Sequence, residues 1–156
     1  MKVLIALDSS SASGGIINVV QARPWPSGTT FCLVSVVANT TGPFGMNDSS
    51  TSESASSATK TASHYLENAM ALLKKRVPHA KVFAEVLQGG VVGRIVAKAK
   101  ELHTDLIVSG HQGCYGLGGQ TLGVVAQGVV QRAPCSVAVI KPKRMATVLP
   151  NCAHGT

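Results

Sequence analysis

One glycine-rich segment and one aspartate hold most of the chemistry that this chain offers. The segment is GHQGCYGLGGQTLGV, residues 110–124, between the apolar runs DLIVS and VAQGVV. Glycine loses more backbone freedom on ordering than any other residue, so this density requires a reason. A loop that leaves a buried strand and enters a helix is a natural anion site. The first-turn N–H groups of the helix lack internal acceptors, and the dipole favours negative charge there. Glycines let that backbone approach a phosphate closely, although they serve tight strand-to-helix packing equally well. Asp8, directly after the apolar run KVLIAL, stands at a comparable junction, where an aspartate often serves as a helix N-cap.

Several chemistries are excluded. The chain has no GxxxxGK[ST] loop, and DSSSASGG follows its first apolar run where a dinucleotide fingerprint would require GxGxxG. The GxSxG elbow is also missing. Cys32, Cys114, Cys135 and Cys152 form no CxxC pair. Cys32 and Cys135 read as buried thiols and Cys114 as a loop residue. His64, His79, His103, His111 and His154 have no HxxxH or HExxH spacing, and His111 reads as an exposed loop residue. No nucleophile–base–orienter set is legible, so no catalytic residue and no strong enzymatic turnover are expected.

The elements that position these residues alternate in type. Residues 2–7, 30–38, 81–88, 105–109 and 135–141 are apolar or alternating runs that read as strands. Between them lie helical stripes: Ala12, Ile16, Val19 and Val20; then Tyr65, Leu66, Ala69, Leu72 and Leu73; then Val91, Val92, Ile95, Val96, Ala99 and Leu102; then Leu122, Val125, Ala126, Val129 and Val130. Pro24, Pro78 and Pro134 end three of them. Residues 39–59 are rich in Ser, Thr, Gly and Asn and read as a flexible polar loop, either a lid or a tolerated insertion, with the second helix beginning near Ala58. Residues 142–156 read as a loose tail beyond a single domain over 1–141. The β-α alternation predicts a parallel sheet with helices on both faces and a ligand crevice at the carboxyl ends of the strands. If the first and fourth strands are neighbours, Asp8 and Gly110 face the same crevice.

Composition narrows the class further. The 156 residues suffice for one core, and the formal net charge is +7 with 13% charged residues. The basic residues are scattered and aromatics are 4%, so the expectation is no nucleic-acid partner. No run approaches the roughly 18 apolar residues of a membrane span, and the N-terminal run meets Asp8 too soon for a signal peptide. A cytoplasmic location with no membrane contact is expected.

The residues DLIVSGHQGCYGLGGQTLGVVAQGVVQRAPCSVAVIK resemble the C-terminal half of a universal stress protein. Nucleotide-binding members carry G-x2-G-x9-G-[S/T]. Gly110, Gly113 and Gly123 match this spacing, and Val124 replaces the hydroxyl residue. KVLIALDSS and LVSVVA resemble the family's first two strands, so the likeness spans residues 1–141. It implies an α/β, Rossmann-like, doubly wound sheet of five parallel strands in the order 3-2-1-4-5. It implies a stress-response regulator that binds ATP or another adenine nucleotide. Asp8 would sit by the ribose and any nucleotide-bound Mg²⁺, and Val36 would meet adenine through its main chain. Gly110 and Gly113 would line the ribose and α-phosphate. Gly123, Val124 and Val125 would offer N–H groups to the β- and γ-phosphates. Loss of the hydroxyl at Val124 predicts affinity lowered about 10- to 100-fold, or a preference for fewer phosphates. The resemblance also implies a homodimer through strand 136–140, with Val137 and Val139 at the contact. The competing readings are a dimeric interaction module that binds no nucleotide and a slow ATP hydrolase.

Overall fold

The computed structural model describes residues 1–9, 11–39, 49–111 and 122–141. Five strands alternate with four helices. They are β1 (Lys2–Ala6), α1 (Ser11–Gln21), β2 (Thr30–Val37), α2 (Ser49–Arg76), β3 (Lys81–Gln88), α3 (Val91–Glu101), β4 (Leu106–Gly110), α4 (Val124–Arg132) and β5 (Ser136–Ile140). The sheet is wholly parallel with the order β3-β2-β1-β4-β5, as the resemblance implied. Its strand order reverses between β1 and β4, the neighbours whose carboxyl ends define the crevice in such folds.

Alternate residues of the strands face opposite layers. Val3, Ile5 and Leu7 pack with Ile16, Ile17 and Val20 of α1 and with Leu66, Ala69 and Leu73 of α2. Leu4, Cys32, Val34 and Ile107 point the other way, toward Ile95 and Ala99 of α3 and Val129 of α4. Both faces are therefore covered, which is why β1, β2 and β4 read as continuous apolar runs, while the edge strand β3 alternates. Helices α3 and α4 approach closely at Gly128, where an added Cβ would lie 2.8 Å from Cγ2 of Val92.

Several expectations change: Cys135 and His111 are both half-buried rather than buried and exposed respectively, and Val130 of the fourth stripe is 49% exposed. Helix α2 begins at Ser49, so residues 49–59 are helical rather than part of a polar loop; residues 40–48 lie outside the described residues. No glycine or proline occurs between Gly45 and Pro78, so nothing stops the helix from extending back from its packed half. The first buried side chain of α2 described is Ala62, and the Thr59 and Thr61 hydroxyls donate to the carbonyls of Ala55 and Ser57. Leu72, expected on the apolar stripe, is 54% exposed, because the buried stripe runs through Ala62, Leu66, Ala69 and Leu73. The tail 142–156 lies outside the described residues.

Candidate functional site

The strand register fixes what meets at the carboxyl edge. β1 pairs with β4 from Val3–Leu106 to Ile5–Val108. Asp8 and His111, three residues beyond the last of these partners, therefore leave the sheet side by side. β1 pairs with β2 as far as Ala6–Val34, and the Leu7 N–H donates to the Val34 carbonyl at 2.8 Å. Successive residues of a parallel strand bond to opposite neighbours. Val34 turns its main-chain groups toward β1, and Val37 turns its carbonyl to β3, where it accepts from Gly89 at 3.0 Å. Val36 must then direct its N–H and C=O to the β1 side, past the last ladder bond and beside Asp8. Asp8, Val36 and Gly110 are thus brought to one edge, while Gly113 lies outside the described residues.

The glycine segment closes on itself at its base. The His111 N–H donates to the Ile140 carbonyl at 2.8 Å, continuing the β4–β5 ladder. The Gly123 N–H donates to the His111 carbonyl at 2.9 Å. Gly123 is the N-cap of α4, with no side-chain cap, and its carbonyl accepts from Gln127 at 2.9 Å. Of the three N–H groups expected at the outer phosphates, that of Gly123 is therefore already engaged. Those of Val124 and Val125, in the first turn of α4, have no acceptor within the helix. The Val124 side chain is 85% exposed.

Asp8 is held rather than merely displayed. Its N–H donates to Oγ of Ser13 at 3.0 Å, and the Ser13 hydroxyl donates back to Oδ1 at 2.6 Å. That length belongs to charge-assisted O–H···O⁻ bonds. Burial holds the Tyr65 phenol above its ordinary range, while the neighbouring Ser13 hydroxyl acts in the opposite direction and the Asp8 charge adds to the rise. Ser13 belongs to the site, and Tyr65, which the sequence marked only as part of an apolar stripe, stands near it. The five-residue step from Asp8 to Ser13 across a strand–helix junction was the available signal for Ser13.

A third unforeseen residue stands at the β3–α3 turn. Nε of Arg94 donates to the Gln88 carbonyl at 2.5 Å. The side chain lies over Gly89, where a Cβ would come to 3.0 Å from Nε of Arg94 and whose φ of 127° favours glycine. Arg94 thereby brings a cation to the carboxyl edge of β3. The Cys32 thiol faces the other layer, where burial pushes it up to about 12, and it is no nucleophile. Lys98 is held in its charged form by Glu85 at 2.7 Å and Glu101 at 2.9 Å. Among the described residues no group of three His, Cys, Asp or Glu side chains can hold a metal ion. No helix among them is long and apolar enough to cross a membrane.

Comparison with known proteins agrees with this fold. The model of the universal stress protein family matches residues 1–141. No curated protein matches the sequence. Among solved structures, the universal stress protein UspA from Lactobacillus plantarum is similar at a TM-score of 0.76 and 24% identity, over 90% of this chain and 97% of that one. The universal stress protein from Archaeoglobus fulgidus, solved in complex with dAMP, is similar at 0.62 and 20%, over 90% and 98%. A universal stress protein family protein from Arabidopsis thaliana, solved with AMP bound, is similar at 0.67 and 17%, over 92% and 93%.

Proposed function

The chain belongs to the universal stress protein family, and from that premise we propose that it is a regulatory protein that binds an adenine nucleotide at the carboxyl edge of β1 and β4. The observation that carries this reading is the meeting at one edge of the Asp8 carboxylate, the inward main chain of Val36 and the N-terminus of α4. These are the donors and acceptors that a nucleotide requires: an acceptor for sugar hydroxyls, a main-chain edge for the base and N–H groups for phosphate. The relatives with dAMP and AMP support the ligand class.

The phosphate end favours short nucleotides. Gly123 has given its N–H to His111, and Val124 supplies no hydroxyl. AMP and ADP are therefore the preferred ligands, and ATP gains nothing from its outer phosphate. Magnesium, where a longer nucleotide carries it, would lie on the Asp8 side. The reading assigns no catalytic residue. Calorimetric titration with AMP, ADP and ATP tests it. Affinities that do not rise with phosphate number are expected, and no heat from any of the three at millimolar ligand would refute nucleotide binding. Two copies are proposed to join along the open edge of β5, where Val137 and Val139 are half-buried.

A further inference from the structure

The hydroxyl of Ser13 is bonded twice to Asp8. A serine hydroxyl has one proton to donate and two lone pairs that accept. The proton goes to Oδ1 of Asp8 at 2.6 Å, and one lone pair accepts from the Asp8 N–H at 3.0 Å. Ser13 is 1% exposed, so water does not compete for these bonds. The two residues come from different elements, the end of β1 and the first turn of α1. The packing of Ile16 and Ile17 on α1 with Ile5 and Leu7, all within the same core, fixes their mutual positions.

This reciprocity goes beyond what a helix cap needs. One side-chain bond to an N–H satisfies a cap, whereas here the serine also returns its proton to the carboxylate, and each bond polarises the other. We propose that Ser13 is a positioning residue for nucleoside recognition. It holds the Asp8 carboxylate in the orientation that accepts hydrogen bonds from sugar hydroxyls. It thereby sets the preference for a ribose over a sugar without hydroxyls. The inference rests on the nucleotide-binding reading and deepens it, because it assigns discrimination at the sugar to a buried residue whose hydroxyl bonds to Asp8. A carboxylate free to rotate would lose the geometry before it lost the charge, and misplacement of about 1 Å is enough to matter.

The test compares AMP with 2′,3′-dideoxy-AMP by calorimetry on the wild type, Ser13→Ala and Asp8→Asn. Thermal melting checks that each variant folds. Ser13→Ala is expected to weaken AMP about 10-fold and to leave dideoxy-AMP unchanged, which is the loss of one hydrogen bond to a charged group. Adding Ser13→Ala to Asp8→Asn is expected to change nothing further, since both act through one carboxylate. A purely structural serine would weaken both ligands equally, and that result overturns the inference while the nucleotide reading stands. An unchanged AMP-to-dideoxy ratio overturns it also. A wild type that binds neither ligand removes the nucleotide reading and this inference together.

Discussion

Replacing Val124 with serine restores the hydroxyl that the glycine motif lacks. The structure makes this substitution inexpensive, because Val124 is the first residue of α4 and is 85% exposed. Removing its slight apolar burial costs about 0.3 kcal/mol, a small fraction of what full burial of a valine contributes. Serine and valine differ little in helix propensity, so the melting temperature is expected to stay within about 2 °C. The gain is a hydrogen bond from a hydroxyl to a charged phosphate at a helix N-terminus. Such a bond contributes about 1.5–3 kcal/mol, or about 10- to 100-fold in affinity. Calorimetry with adenosine, AMP, ADP and ATP separates this effect from general changes. ADP and ATP should tighten, AMP less and adenosine not at all. Equal tightening of adenosine would show that the substitution acts on the nucleoside end. No tightening of ATP would show that Val124 does not face the phosphates, and either result refutes the placement of the phosphate chain over α4.

Other parts of the fold carry further expected outcomes. Burial raises the Cys32 thiol from 9.0 to about 12, so its stabilising contribution is complete below pH 9 and is lost as pH rises toward 12. The unfolded thiol ionises first, and urea denaturation at pH 8 and 10.5 should show the wild type losing about 2 kcal/mol more than Cys32→Ala; parallel losses would contradict this. Gly128→Ala should destabilise by about 1–2 kcal/mol despite the better helix propensity of alanine, because its Cβ would meet the stiff Val92 at 2.8 Å. Gly14→Ala, with open space around it in α1, should stabilise by about 0.5–1 kcal/mol in the same melts. Val139→Lys should convert the proposed dimer to a monomer in sedimentation, since an edge lysine blocks strand pairing; a wild type already monomeric at micromolar concentration would refute the β5 interface.

Much of the fold was legible because each strand is a short apolar run that turn residues interrupt, and such runs survive without any knowledge of their neighbours. The strand order was not legible from the runs alone. It depended on the resemblance carried by Gly110, Gly123 and the residues around Asp8. The start of α2 departs from its sequence expectation for a physical reason. Ser and Thr favour turns by local propensity, but residues 49–61 are joined without a break to the packed stripe at Ala62, Leu66, Ala69 and Leu73. Tyr65 reads as core because its spacing matches that stripe. Its place beside Ser13 emerges only when α2 is laid against α1, a contact between residues far apart in the chain. Arg94 was silent for a similar reason, as its partner is a main-chain carbonyl that no residue type announces.

The two ends of the proposed site are unequal, and the inequality has a direction. At the nucleoside end Asp8 is fixed by two hydrogen bonds of 2.6 and 3.0 Å to a buried serine. A fixed acceptor loses little entropy when a sugar hydroxyl reaches it, so most of its hydrogen-bond energy remains as affinity. At the phosphate end, the Gly123 N–H is engaged by His111 and the next residue is an exposed valine. What remains there is the first-turn N–H groups of Val124 and Val125 and the helix dipole, whose effect salt screens and which fades within one turn. Affinity in such a site is concentrated on the nucleoside and the nearest phosphate. A second and third phosphate add charge that few fixed groups among the described residues complement, which makes a short adenine nucleotide the expected ligand and ATP the weaker one at physiological salt.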